Sequence, residues 1–100
     1  MAIEVIVEFQ AKPGARAELA GLLEGISASL GPSIPGFLGS RLYEVLDSPD
    51  ALVEIDEWDS ADAQAAAVEH AMASGVYAPV IELVAAPFKA TRIGQLNERQ

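Results

Sequence analysis

The apolar residues of this chain change their spacing from segment to segment, and the order of those changes restricts its fold more than any other feature. Over residues 3–9, Ile3, Val5, Val7 and Phe9 point one way and Glu4 and Glu8 the other, with Ile6 among them. Period two with β-branched side chains predicts a strand with one strongly apolar face. Lys12-Pro13-Gly14 interrupts it, and Pro13 suits the opening of a helix. From 15 to 30, Leu19, Leu22, Leu23, Ile26 and Leu30 recur at helical spacing. Gly21 and Gly25 each lower helix propensity by ~1 kcal/mol relative to Ala, and would allow close packing if they faced a sheet. The run 31–36 (GPSIPG) is a loop by composition. Residues 37–46 and 51–58 read as two strands joined by Asp47-Ser48-Pro49-Asp50, a hairpin connection. Asp59 or Ser60 can cap the next helix, and Asp62 suits its first turn. Residues 61–73 are Ala-rich and helical; Gly75 ends that helix, and Pro79 opens a short one through Ala85. A last strand covers 87–93, and 94–100 read as a loose polar tail.

The order is β-α-β-β-α-β with the second helical region broken in two. It predicts a single α+β domain over 1–100, ferredoxin-like, with a four-stranded antiparallel sheet and the helices on one face. One hundred residues leave no room for a second domain. The uncovered sheet face needs an explanation. If Val53 and Ile55 join Val5 and Val7 under the helices, the open face carries Ile6, Leu52 and Trp58 among acids. A Trp alone offers ~150–250 Å² of buriable area, and a second copy packing sheet to sheet would cover it. A two-fold homodimer is therefore expected. A bulge near Asp56-Glu57 would instead turn Trp58 under the helices, and parity alone leaves both orientations open.

Composition removes several classes of function. With no cysteine there is no disulfide, thiolate zinc site, iron–sulfur cluster or cysteine nucleophile, and a single histidine cannot build a multi-histidine metal centre. No metal site is expected. No run approaches the ~18 apolar residues of a membrane span, and the N-terminus carries acids where a secretory signal carries bases. A soluble, cytoplasmic protein is expected. The net charge is −9, and residues 42–88 hold ten acids with no Lys or Arg. A phosphate backbone or an anionic lipid surface needs clustered basic residues, so nucleic-acid and membrane partners are excluded.

The stretch PGFLGSRLYEVLDSPDALVEIDEWDSADA (35–63), preceded by a strand ending in Lys12-Pro13-Gly14, resembles the antibiotic biosynthesis monooxygenase (ABM) domain family. The matching features are a Pro-Gly before strand two, an aromatic in that strand, an acid–Trp pair (Glu57-Trp58) closing strand three, and an Ala-rich helix carrying a histidine (His70). The resemblance covers 3–93. It implies a dimeric α+β barrel in which each subunit holds a pocket between sheet and helices. Several members oxygenate phenolic, anthrone-type or quinol substrates with dioxygen and neither metal nor flavin; a related branch binds and degrades haem. Oxygenation without a cofactor has a plain logic, because a deprotonated electron-rich substrate can itself reduce oxygen. The protein then supplies a base and a dry, shaped pocket.

His70 is the natural base candidate, as the one side chain whose ordinary pKa lies near neutrality, with Ala63, Ala66 and Ala67 on its helix face leaving room above the sheet. The competing reading is a surface histidine near a helix C-terminus. Trp58 resembles the family's strand-three Trp and can stack on a polycyclic substrate, or else anchor the core or a dimer interface. Tyr77 can donate a hydrogen bond to a substrate oxygen. Haem-binding members carry a histidine where Tyr77 stands and an aromatic where Ala67 stands, and both departures argue against haem. Oxygenase members tend to carry an amide four residues before the Trp; here it is Glu54. Arg41 and Tyr43 on strand two are candidates to orient a phenolic or acidic substrate, Arg41 having as its alternative the neutralisation of acids on a neighbouring strand. Phe9 is a candidate for the apolar pocket wall. Glu4, Glu8, Glu54 and Asp56 would crowd one face if strands one and three are neighbours, as a functional cluster or as hydrated surface.

These residues point to a cofactor-independent monooxygenase with dioxygen as co-substrate and a small aromatic molecule as substrate. The alternative is a non-catalytic dimeric binding or pathway-partner protein of the same fold, towards which Glu54 and the absence of bases across 42–88 lean. An isomerase or decarboxylase using His70 as base is a third.

Overall fold

A computed structural model describes residues 1–96. Its elements run β1 (Ile3–Gln10), α1 (Arg16–Leu30), a 3₁₀ turn at Gly31–Ser33, β2 (Phe37–Glu44), β3 (Ala51–Trp58), α2 (Ala61–Ser74), α3 (Ala78–Leu83) and β4 (Lys89–Ile93). The four strands form one sheet in the order β2-β3-β1-β4, every neighbouring pair antiparallel. This is the ferredoxin-like α+β arrangement the order of periodicities predicts. Gly94 to Leu96 are exposed beyond β4, and the rest of the expected tail, 97–100, lies outside the described residues.

Local chemistry sets the element ends. The positive φ of Gly14 (79°) turns the chain between β1 and α1, and its amide donates to the Asp50 carboxylate at 3.1 Å. The Ser60 hydroxyl caps α2 by accepting from the Ala63 amide at 3.1 Å, and Gly75 (φ 72°) closes that helix in the left-handed region. Pro79 lies in the first turn of α3, where its missing N–H costs nothing. The core forms where Val5, Val7 and Phe9 of β1 meet Leu19 and Leu23 of α1 and Val80 of α3; Leu19 and Val80 are fully enclosed.

The register decides the question that parity left open. Ile3, Val5, Val7 and Phe9 stand opposite Trp58, Asp56, Glu54 and Leu52. Trp58 and Leu52 therefore lie beneath the helices, 7% and 4% exposed, while Val53 and Ile55 share the open face with Ile6. Of the two orientations that parity left open, the one with Trp58 under the helices and Val53 and Ile55 on the open face is found. No bulge is needed, for the β1–β3 ladder is unbroken and the one irregularity lies in β2 between Phe37 and Gly39. The physical reason is area: burying Trp58 and Leu52 removes more apolar surface from water than burying Val53 and Ile55. Two carboxyls, Glu54 and Asp56, are carried under the helices with them.

The same register divides the expected four-acid cluster. Glu4 and Glu8 pair with Glu57 and Val53 on the open face, away from Glu54 and Asp56. On that open face Arg41 reaches Glu57 at 3.3 Å and Glu4 at 3.5 Å, neutralising acids on neighbouring strands. Ile6, Val53 and Ile55 are half-buried there, and Tyr43 is 46% exposed.

Candidate active site

Beneath the helices, β2 and β3 meet the C-terminal half of α1 around a small cavity of about 50 Å³. Leu23 and Ile26 of α1, Ile34 of the following loop and Phe37 of β2 give it an apolar wall. Its polar groups are Ser27, Ser40, Glu54, Asp56 and Tyr77. Each is placed by alternation or helical spacing. Glu54 and Asp56 are successive inward positions of β3, Ser40 stands across from Asp56 on β2, and Ser27 lies one turn beyond Leu23 on α1. The Ser27 and Ser40 hydroxyls share a hydrogen bond of 2.9 Å that ties α1 to β2.

Burial dominates the electrostatics. It raises the Glu54 carboxyl to about 8, helped by the Asp56 charge, and raises Asp56 to about 6. A hydrogen bond from Glu54 to Asp56 favours holding the proton on Glu54. Near neutral pH the pair therefore carries one proton and one negative charge. Burial also raises the Tyr77 phenol, reinforced by the charges of Glu54 and Asp56, so it is a neutral donor. The Tyr77 ring is held edge-on against Phe88 with centroids 6.1 Å apart. A carboxylate beside a carboxylic acid and a phenol, in an apolar enclosure, is an arrangement suited to taking and returning protons.

Of the residues singled out in the sequence, Glu54, Asp56 and Tyr77 come together at this cavity. Trp58 does not line it. It stands behind Phe37 in a T-shaped contact with ring centroids 5.1 Å apart and so supports the wall. His70 is exposed on α2, which meets the core through Ala63 and Ala67, and it does not line the cavity. Arg41 and Tyr43 project from the opposite face of the sheet, paired across β3 with Ile55 and Val53. Phe9 is core, its ring tilted at 38° against that of Phe88 with centroids 5.1 Å apart. Asp56 joins Glu54 here as the expected acidic cluster has it, without Glu4 and Glu8; the polar and aromatic cavity residues not anticipated are the serine pair and Phe37. Asp56 had a usable signal, since Glu54, Asp56 and Trp58 share one parity and burying the Trp buries all three.

Comparisons with known proteins agree with this architecture. The sequence profile described as antibiotic biosynthesis monooxygenase matches residues 2–76. No curated protein matches the chain in sequence. Among solved structures, Rv0793 from Mycobacterium tuberculosis is 27% identical with full coverage of both chains (100% each) and a TM-score of 0.76. SnoaB, a cofactor-independent oxygenase from Streptomyces nogalater, is 19% identical over 96% of this chain and 94% of that one, with a TM-score of 0.80. A conserved protein from Methanosarcina mazei is 17% identical, covering 93% of this chain and 91% of its own, with a TM-score of 0.78.

Proposed function

Because the chain belongs to the antibiotic biosynthesis monooxygenase family, we propose that it is a cofactor-independent monooxygenase acting on a hydroxylated aromatic or quinol-like small molecule. The observation that carries this reading is the half-buried pair Glu54 and Asp56, set with Tyr77 in the cavity between sheet and helices. The ionised member of the pair takes the substrate's phenolic proton. The resulting phenolate, held away from water, is electron-rich enough to reduce dioxygen. In the net reaction a ring C–H of the phenol becomes C=O and the phenolic C–OH becomes the second C=O of a quinone; one atom of O₂ enters the product and the other leaves as water with the two hydrogens lost. Tyr77 donates a hydrogen bond to the substrate oxygen, and Trp58 keeps Phe37 in place against it. His70, exposed on α2, takes no part.

The active particle in this reading is a homodimer. The half-buried Ile6, Val53 and Ile55 with the exposed Tyr43 form the apolar centre of the open sheet face, and Glu4, Glu8, Glu57, Arg41 and Lys89 surround it with both signs of charge. A two-fold axis can bring Arg41 of each copy towards acids of the other.

The test is incubation with anthrones and hydroquinones in air and under nitrogen. Oxygen consumption matched by product in air, and no turnover under nitrogen, is expected. Equal turnover in both atmospheres, or none in either, would overturn the reading.

A further inference from the structure

The cavity is too small for the substrate it would serve. About 50 Å³ admits one or two waters, each of which occupies roughly 30 Å³ in the liquid, and a ligand site ordinarily spans about 300–1,000 Å³. Immediately outside lies an open groove of about 450 Å³, bounded by Glu24, Ser27 and Ala28 of α1 and by Phe37 to Ser40 of β2. The two spaces share four residues, Ser27, Gly31, Phe37 and Ser40. The division between them is thin. It consists of the 2.9 Å hydrogen bond between Ser27 and Ser40 and the ring of Phe37, which lies so close to Gly31 that a Cβ there would sit 2.9 Å from the ring. β2 is an edge strand, and its one irregularity falls at this point, between Phe37 and Gly39.

We infer that the groove and the cavity are one bipartite site, in which a neutral fused-ring ligand lies against Phe37 in the groove and passes its hydroxyl between Ser27 and Ser40 to Glu54 and Asp56. This rests on the proposed function for the phenolic class of the ligand. The charge selection comes from the lining itself. Among the described residues neither space is lined by a Lys or Arg, and both contain acid: Glu24 outside, Glu54 and Asp56 within. An anionic ligand would enter against like charge with nothing to pair it. The serines supply the reversible step, since their mutual bond can be exchanged for bonds to the incoming hydroxyl with no net loss.

Titration calorimetry with 2-naphthol and with 2-naphthoate tests this. Wild type should bind 2-naphthol at least about tenfold more tightly than the anion, whose burial without a partner is penalised. Ala28→Phe fills the groove from an exposed helix position outside the cavity. It should weaken 2-naphthol by at least about tenfold through loss of the ring's seat while leaving the melting curve in place. Ser40→Leu should abolish binding. The inference is overturned if wild type takes up no 2-naphthol at millimolar concentration, if the anion binds equally well, or if Ala28→Phe binds like wild type. Absence of oxygen consumption alongside the expected binding pattern would remove the oxygenase reading alone. Turnover that is indifferent to Ala28→Phe would remove this one alone.

Discussion

Glu54 stands directly across the sheet from Val7, so a carboxyl occupies the centre of a face that β1 contributes as unbroken aliphatic and aromatic surface. Placing an acid there is costly unless it is protonated or used. The raised pKa values of Glu54 and Asp56 are the direct expression of that cost.

Stability should consequently fall as pH rises. Both carboxyls bind protons more tightly folded than unfolded, so their contribution is fully present below about pH 4 and is lost as pH rises through about 6 and then about 8. Thermal melts from pH 5 to pH 9 should show a decline on the order of a few kcal/mol, and Glu54→Gln with Asp56→Asn should flatten it. A wild-type stability that is level across that range would contradict the assignment.

Asp56→Asn separates catalysis from folding. The amide keeps the shape and removes the carboxylate that is ionised at neutral pH and accepts the substrate proton, so oxygen-dependent turnover should drop by about 10²–10⁴-fold. The melting temperature at pH 8 should stay equal or rise. His70→Ala, at an exposed position, should leave both unchanged.

Gly36 should tolerate no side chain. Its φ is +82°, and a Cβ there would approach the Ala63 Cβ to 2.5 Å and the Asp59 carboxylate to 2.6 Å. Gly36→Ala should cost about 2–4 kcal/mol from left-handed backbone strain and overpacking, measurable by urea denaturation. Gly21→Ala, with open space around its Cβ, should be neutral or stabilising.

A charge at the centre of the open face should separate the copies. Ile55 stands beside Ile6 and Arg41, and Ile55→Glu adds an unpaired acid to the apolar patch. Sedimentation should give about twice 10.5 kDa for wild type at micromolar concentration and a single-chain mass for the variant. A wild type that sediments as one chain would refute the proposed pairing.

The element order, the hairpin at 47–50 and the caps at Ser60 and Gly75 were legible in the sequence because each rests on local chemistry. The orientation of β3 was not. Leu52, Glu54, Asp56 and Trp58 form one stripe and Val53 and Ile55 the other, and either can be argued inward until the partner strand's register is known. That single ambiguity carried most of the site with it, since it decides whether Glu54 and Asp56 are hydrated or enclosed. The choice for His70 between a base over the sheet and a surface histidine was open for a related reason. Helical spacing gives the face a residue shares with its neighbours, not how far along the helix the sheet continues beneath it. Ser27 and Ser40 carry no sequence signal, for their partnership exists only once α1 lies across β2.

Arg16 holds the start of α1 to the β2–β3 connection, donating to the Ser48 carbonyl at 3.2 Å and to Glu44 at 3.3 Å, beside the bond from Gly14 to Asp50. One end of the helix is thus fastened by several polar bonds to the far tip of the strand pair, whereas the other end packs on the sheet through apolar side chains and one hydrogen-bonded pair of hydroxyls among the described residues. Any breathing of α1 against β2 must then pivot at the fastened end and be greatest at Ser27 and beyond. Loop insertions near 47–50 would loosen the pivot and be felt about three helical turns away, in how readily that opposite end lifts.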